Sequence, residues 1–318
     1  MTMLRTFAIY VVLAALLYFV LRNAPLADIW ETLSKLQPWQ ILILLGLNAV
    51  IYILITLRWW LIARAENKSI VFFPLLAIRV AVFGVSYFTL GPQVGGEPLQ
   101  ILYLQRRYGL TYARATSTVV MDKLLEFLAN FLLLGVGLTA IFQAGILSTN
   151  GGRPFVSLSG LVILLCWPPI HILLLYRGLY PVSALLRKFF NNRLVRFVAV
   201  SERMAGAFCR RHVAALGVAI FVSVMAALGM IVEFFLITSF LEIHLSLWQT
   251  VVAWTAAWLA FLVPLPGGLG ALEASQVFAL GAFGISAASA IGVTLLIRAR
   301  DLLIGGLGLL IASRAVDK

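Results

Sequence analysis

Apolar residues run along this chain in long unbroken blocks separated by short basic stretches. That is the pattern of helices apolar all round, not of half-buried elements. The blocks cover 6–21, 40–57, 71–90, 116–147, 155–176, 213–240, 248–263 and 284–313. A membrane-spanning helix needs about 20 apolar residues, with a range of roughly 17–25. The pattern therefore predicts an all-α polytopic membrane protein with about eight hydrophobic segments. Two further runs, 91–104 and 264–283, are shorter and broken by glycine and proline, so neither crosses alone. Trp39, Trp59, Trp60, Tyr176, Tyr180 and Trp248 fall at predicted span ends, as an interfacial aromatic belt would. The run 6–21 follows Arg5 like a signal peptide, but no small-x-small cleavage site follows it. We read it as a first anchor.

Composition strengthens this reading. Of the 318 residues, 62% are hydrophobic and 11% charged, against roughly half and a quarter in a soluble domain. Mean hydropathy is +1.03. A disordered, a collagen-like and an ordinary cytosolic chain are excluded. The net charge of +12 would suggest nucleic acid in a soluble protein. Here it reads as the positive-inside bias, and no nucleic-acid partner is expected. With the N-terminus cytoplasmic, seventeen of the 24 cations fall on inner segments and three, Arg22, Lys35 and Arg153, on outer ones. Four lie inside spans: Arg79, Lys123, Arg298 and Arg300. The inner set includes Arg58 and a basic stretch, 177–212. Both termini are then cytoplasmic. This split requires 71–104 and 248–283 to enter and leave on one side each, as re-entrant hairpins.

The stretch 181–212 is amphipathic, with Leu186, Phe190, Phe197, Met204 and Phe208 set among the cations. It predicts a helix on the inner leaflet, drawn by anionic lipid. Its structural alternative is a solvated connector. Cys166 lies in an apolar run and Cys209 in the basic stretch, so no disulfide is implied.

One internal match stands out. Residues 92–96 and 264–268 share the pattern Pro-x-x-Gly-Gly, as Pro92…Gly95-Gly96 and Pro264…Gly267-Gly268. A glutamate follows each, Glu97 and Glu273, and then a helix carrying an aspartate, Asp122 and Asp301. Matched breaks in apolar sequence, predicted to enter from opposite sides, are the signature of an inverted repeat with broken helices. The repeat halves would be 1–147 and 155–313. Pro98 suits the first turn of a helix. Gly267, Gly268 and Gly270 permit close backbone approach, with a helix starting near Ala271. A helix start offers free N–H groups and favours an anion such as a lipid phosphate. Glycine and proline that merely break helices where neighbours pack closely are the simpler alternative.

Ten charges lie in or beside predicted spans: Arg79, Glu97, Asp122, Lys123, Glu126, Glu233, Glu273, Arg298, Arg300 and Asp301. Each costs roughly 2.5–3.5 kcal/mol at a helix centre, so they pair or line a wet cavity. Spacing lets Arg298 pair with Asp301 and Lys123 with Glu126, three residues apart. Arg79, Arg298 and Arg300 suit a phosphate by fork geometry. Glu97, Glu273, Asp122 and Glu126 would balance them or bind a cationic headgroup. Glu233, isolated in its span, is a candidate proton carrier. Gly305, Gly306 and Gly308 suit close helix packing. There is no Walker loop and no nucleophile elbow, and His171, His212 and His244 lack partners at metal spacing. No cofactor is expected.

The stretch Gly95-Gly96-Glu97-Pro98, the pair Arg106-Arg107, the helix 119–125 around Asp122-Lys123, and the segment 264–273 together resemble the lysylphosphatidylglycerol synthase transmembrane-region family. The resemblance covers nearly the whole chain. It implies a multi-pass protein of the bacterial inner (cytoplasmic) membrane that moves or places lipids between leaflets. In the best-known members this region translocates aminoacylated phosphatidylglycerol made by a soluble synthase domain. No such domain follows here, so a stand-alone member is expected. Such relatives are associated with varied lipids, including hopanoids and lipid-linked sugars.

The leading expectation is a lipid flippase or scramblase. Its partners would be membrane lipids, a lipid-modifying enzyme and, through small-residue faces, a second copy. The alternative is a membrane-embedded enzyme or accessory subunit acting on a lipid-linked substrate, with buried carboxylates as acid and base. A third is a non-transporting partner that organises a lipid-synthesis complex.

Overall fold

In a computed structural model of the protein, the described residues are 26–89, 95–143, 158–189, 193–263 and 265–316. The anchor at 6–21, Pro92, Arg153, Phe190 and Pro264 lie outside them. The described chain forms twelve α-helices: α1 Leu26–Ser34, α2 Pro38–Glu66, α3 Phe72–Phe88, α4 Glu97–Tyr108, α5 Tyr112–Gln143, α6 Leu158–Tyr176, α7 Pro181–Phe189, α8 Arg193–Arg211, α9 Val213–Phe240, α10 Leu247–Phe261, α11 Ala271–Gly281 and α12 Ala287–Val316. A 3₁₀ turn, Pro266–Gly268, precedes α11. No strand occurs among the described residues.

By length and apolarity, α2 and α9 each suffice to cross a bilayer. There are three such spans if Cys166–Tyr176 and Pro181–Phe189, bent by 96° at their junction, count as one. The other expected segments form helices of a different kind. The helices α5 and α12 are 32 and 30 residues long but carry interior charges. The helix α10, at 15 residues, falls short of the roughly 17–25 that a crossing needs, and α3, at 17, sits at its lower limit.

Helix α2 runs on to Glu66, well beyond the apolar block 40–57. This corrects two expectations. Arg58 is not an inner-loop cation but a helical residue 2% exposed, and Trp59 is fully buried rather than interfacial. Trp39, Tyr176 and Trp248 are exposed, as a belt requires. Helix α10 begins at a capping box. The Ser246 hydroxyl accepts from the Gln249 amide at 3.3 Å, and the Gln249 side chain accepts from the Ser246 amide at 2.8 Å.

The chain divides into two compact units. One takes in the described residues up to Tyr52, then Leu76–Leu99, then the chain from Gly229. Within it α11 packs against α10 and α12, and α1 packs against α12. Glycines let α3 and α12 touch by their backbones. A Cβ on Gly84 would sit 2.6 Å from the Gly305 carbonyl oxygen, and one on Gly308 would fall on the Val80 carbonyl oxygen. Gly306 has open space beside it, so only two of the three glycines expected to serve packing do so. We expect Gly84→Ala to destabilise by about 1–2 kcal/mol through overpacking, while Gly306→Ala is neutral or stabilising. Thermal unfolding of the pair checks this.

The second unit holds Ile53–Leu75 and Gln100–Leu228. Its core joins Ile62, Met121, Leu125, Ile172, Leu175 and Phe208. The basic stretch forms two helices, α7 and α8, and α8 buries Val195, Ala199, Ala205, Phe208 and Cys209. Phe208 and Cys209 therefore belong to the protein core, not to a leaflet-facing stripe or a loop. The cause is that α5 and α6 cover that face of α8. Arg193, Arg196, Arg203, Arg210 and Arg211 stay exposed.

Candidate functional site

In the first unit, the turn before α11 is built from left-handed glycines. Gly267, Gly268 and Gly270 have φ of 59°, 61° and 79°, values that carry a steric cost for other residues. This bend aims the Gly267 and Gly268 carbonyls at Arg298 of α12. Arg298 donates to them at 3.0 and 3.5 Å, and to Glu273 Oε1 at 2.5 Å. The other oxygen of Glu273 accepts from the Gly270 amide at 2.9 Å. The arginine thus closes a ring through the turn, the first turn of α11 and back. A Cβ on Gly267 would meet the Tyr87 hydroxyl at 3.2 Å, so Tyr87 of α3 covers the turn.

The other break repeats one part of this. Glu97 Oε2 accepts from the Gly95 amide at 2.8 Å, and the Gly96 amide donates to Ser86 at 2.8 Å. A Cβ on Gly96 would fall on the Val82 carbonyl oxygen. Helix α4 starts at Glu97, with Pro98 in its first turn, and α11 starts at Ala271, both as expected. At both breaks a glutamate folds back onto the glycine amide that an anion was expected to use.

A second network in the same unit centres on Glu233 of α9. Arg300 donates to Glu233 Oε2 at 2.7 Å and to Asp301 Oδ1 at 2.8 Å, and Asn48 donates to Glu233 Oε1. Glu233 is therefore not isolated. The expected Arg298–Asp301 pair is replaced by Arg298–Glu273 and Arg300–Asp301. Tyr52 lies among the charges of Asp301, Arg300, Arg79 and Glu233, which places Arg79 in this group.

In the second unit, Arg58 donates to Asp122 at 2.6 Å and to Glu126 at 3.2 Å. Lys123 lies 3.4 Å from Glu126, the pairing read from its spacing. Sequence reasoning missed Arg58, Asn48, Ser86 and Tyr87. A signal for the first existed: two acids four apart on α5 with one lysine between them are a cation short.

The corner between α6 and α7 is pinned separately. Glu202 of α8 accepts from the Val182 and Ser183 amides at 3.0 and 2.9 Å, and lies 3.5 Å from His171 Nε2. Burial pushes the Glu202 carboxyl up, but bonds from His171, Ser183 and Val182 outweigh it and hold it below its ordinary value. A lowered folded value stabilises above the unfolded value of about 4.3 and is lost as pH falls through the folded one. We expect the Val182 and Ser183 amides to lose protection in acid, exchange being quicker relative to the intrinsic rate at each pH. Glu202→Gln should show the quicker exchange already at neutral pH.

The family model of the lysylphosphatidylglycerol synthase TM region matches residues 6–308. The chain belongs to this family. Comparison with curated proteins and with solved structures gives no match. Membership makes it a membrane protein related to lipid handling. The family match takes in both breaks and all three charge networks.

Proposed function

We propose that this protein moves a polar-headgroup lipid between the leaflets of the bacterial inner membrane, as a flippase or scramblase. The observation that carries the reading is the break before α11, a left-handed glycine turn clamped by Arg298 and Glu273 within apolar sequence. Irregular backbone at membrane depth is tolerated where it is buried in protein or lines a cavity. The shortness of α10, with α3 at the lower limit of a crossing, supports re-entrant hairpins and, with them, the two repeat halves.

The geometry suggests how a headgroup phosphate engages. Glu273 sits on the Gly270 amide and on Arg298, the positions an anion would take. A phosphate there exchanges with one carboxylate, so the site need not be rebuilt for each passage. Arg79 and Arg300 complete the cationic set, with Gly95, Gly96 and Glu97 serving the other break. The candidate lipids are an anionic or aminoacylated phospholipid, a hopanoid or a lipid-linked sugar. A lipid-modifying enzyme would supply them.

The membrane-enzyme alternative is less well supported. A general acid needs access to substrate and a pKa near the working pH, whereas Asp122, Glu233 and Glu273 are each bonded to an arginine.

The test is reconstitution in liposomes carrying headgroup-labelled lipids and a membrane-impermeant quencher. The wild type should expose inner-leaflet label faster than empty liposomes. Folded Glu273→Gln and Arg79→Gln variants should lose about tenfold or more of that rate, the scale of one lost charge-assisted bond. No acceleration for any lipid class would sink the proposal.

A further inference from the structure

The likeness of the two breaks extends beyond the glycines and glutamates. Glu97 is followed three residues later by Gln100, and Glu273 by Gln276. Each glutamine lies one helical turn from its glutamate, on the same face. Both are fully buried, at 0% exposure. Neither is satisfied. Gln276 donates to the Ala253 carbonyl at 2.9 Å, but its Oε1 has no hydrogen-bond partner among the described residues. For Gln100 neither Nε2 nor Oε1 has one.

Glutamine is mostly exposed in folded proteins, and buried polar groups are bonded. An unpaired buried carboxamide costs about 1–3 kcal/mol. A glutamine kept only for the fold would make its bonds, as buried Asn48 does with Glu233. Here the cost recurs at the same position of both breaks.

The chemistry of the group narrows its partner. A carboxamide is neutral and offers both a donor and an acceptor. An ammonium only donates and a phosphate oxygen only accepts, so neither can satisfy both atoms of Gln100. A hydroxyl can. We infer that Gln100 and Gln276 are specificity-determining residues, each within its own break: Gln100 pairs both its atoms with an uncharged hydroxyl of the lipid headgroup, and Gln276 accepts a headgroup donor through Oε1. The substrate class is then a lipid with a polyol or sugar headgroup. This rests on the proposed lipid movement.

The test compares phosphatidylglycerol with phosphatidylmethanol, which carry the same charge but differ in headgroup hydroxyls. Thermal unfolding of the full chain in detergent is followed with each lipid added, for the wild type, Gln100→Met and Gln276→Met. Without lipid, Gln100→Met should be at least as stable as the wild type, because methionine removes an unpaired polar group. Phosphatidylglycerol should stabilise the wild type more than phosphatidylmethanol does, and both variants should lose that preference. In liposomes the variants should move labelled phosphatidylglycerol at least about tenfold more slowly.

A lipid-free Gln100→Met that unfolds earlier than the wild type would overturn the inference, since the amide would then serve the fold. So would variants that keep the preference, or a wild type with none. A wild type that prefers phosphatidylglycerol in detergent but moves no lipid would sink the transport reading and leave the headgroup assignment standing.

Discussion

Arg298→Ala should destabilise the protein by about 2–3 kcal/mol. Removing one partner of a fully buried pair typically costs about 3–5 kcal/mol. The value here is lower because Glu273 is 30% exposed and keeps access to other polar groups. The loss has two sources. Glu273 keeps only the Gly270 amide of its two bonds, and the Gly267 and Gly268 carbonyls lose their shared donor. Arg298→Lys should recover only part of this, since one ammonium cannot reproduce a fork that serves a carboxylate and two carbonyls. Glu273→Gln should cost as much, about 2–3 kcal/mol: an amide oxygen still accepts from Gly270, but Arg298, 2% exposed, loses its carboxylate. Tryptophan fluorescence during thermal unfolding reads these differences, since buried Trp254 and Trp258 lie on α10, packed against α11. An Arg298→Ala protein that unfolds like the wild type would remove the clamp from the account.

Local signals carried the helices far better than the contacts. The block 213–240 became Val213–Phe240, and 71–90 became Phe72–Phe88, because apolar runs and their glycine or proline ends act within one segment. The starts at Glu97 and Ala271 were readable for the same reason. Partner choice was not. Arg298 has Asp301 at helical spacing, yet it bonds Glu273, 25 residues away in sequence. Glu233 looks alone in an apolar run, yet Asn48 and Arg300 reach it from 185 and 67 residues away. Such pairings are set by which helices pack, which no local window contains. Arg58 shows the converse error. A charge at the edge of an apolar run reads as a loop residue, because its buried carboxylate partners are 64 and 68 residues further on.

Those partners give the largest effect expected. Arg58→Ala takes the arginine away from Asp122, which is fully buried, and from Glu126, with a loss of about 3–5 kcal/mol. The cost comes from a buried carboxylate that has lost its arginine, more than from a missing attraction. Removing both charges should therefore restore most of the stability. An Arg58→Met, Asp122→Leu double variant should return to within about 1 kcal/mol of the wild type, because apolar replacement of a buried pair is often neutral or better. The neighbouring thiol supplies the readout. Cys209 is buried 3.8 Å from the Met121 sulfur, next to Asp122 in sequence. Burial pushes it up to about 11, so it is inert until the unit opens. Dye labelling of Cys209 against temperature should shift down sharply in Arg58→Ala and recover in the double variant. A double variant as unstable as the single one would mean that the arginine acts through its packing and not through the pair. The network would then be incidental to the fold.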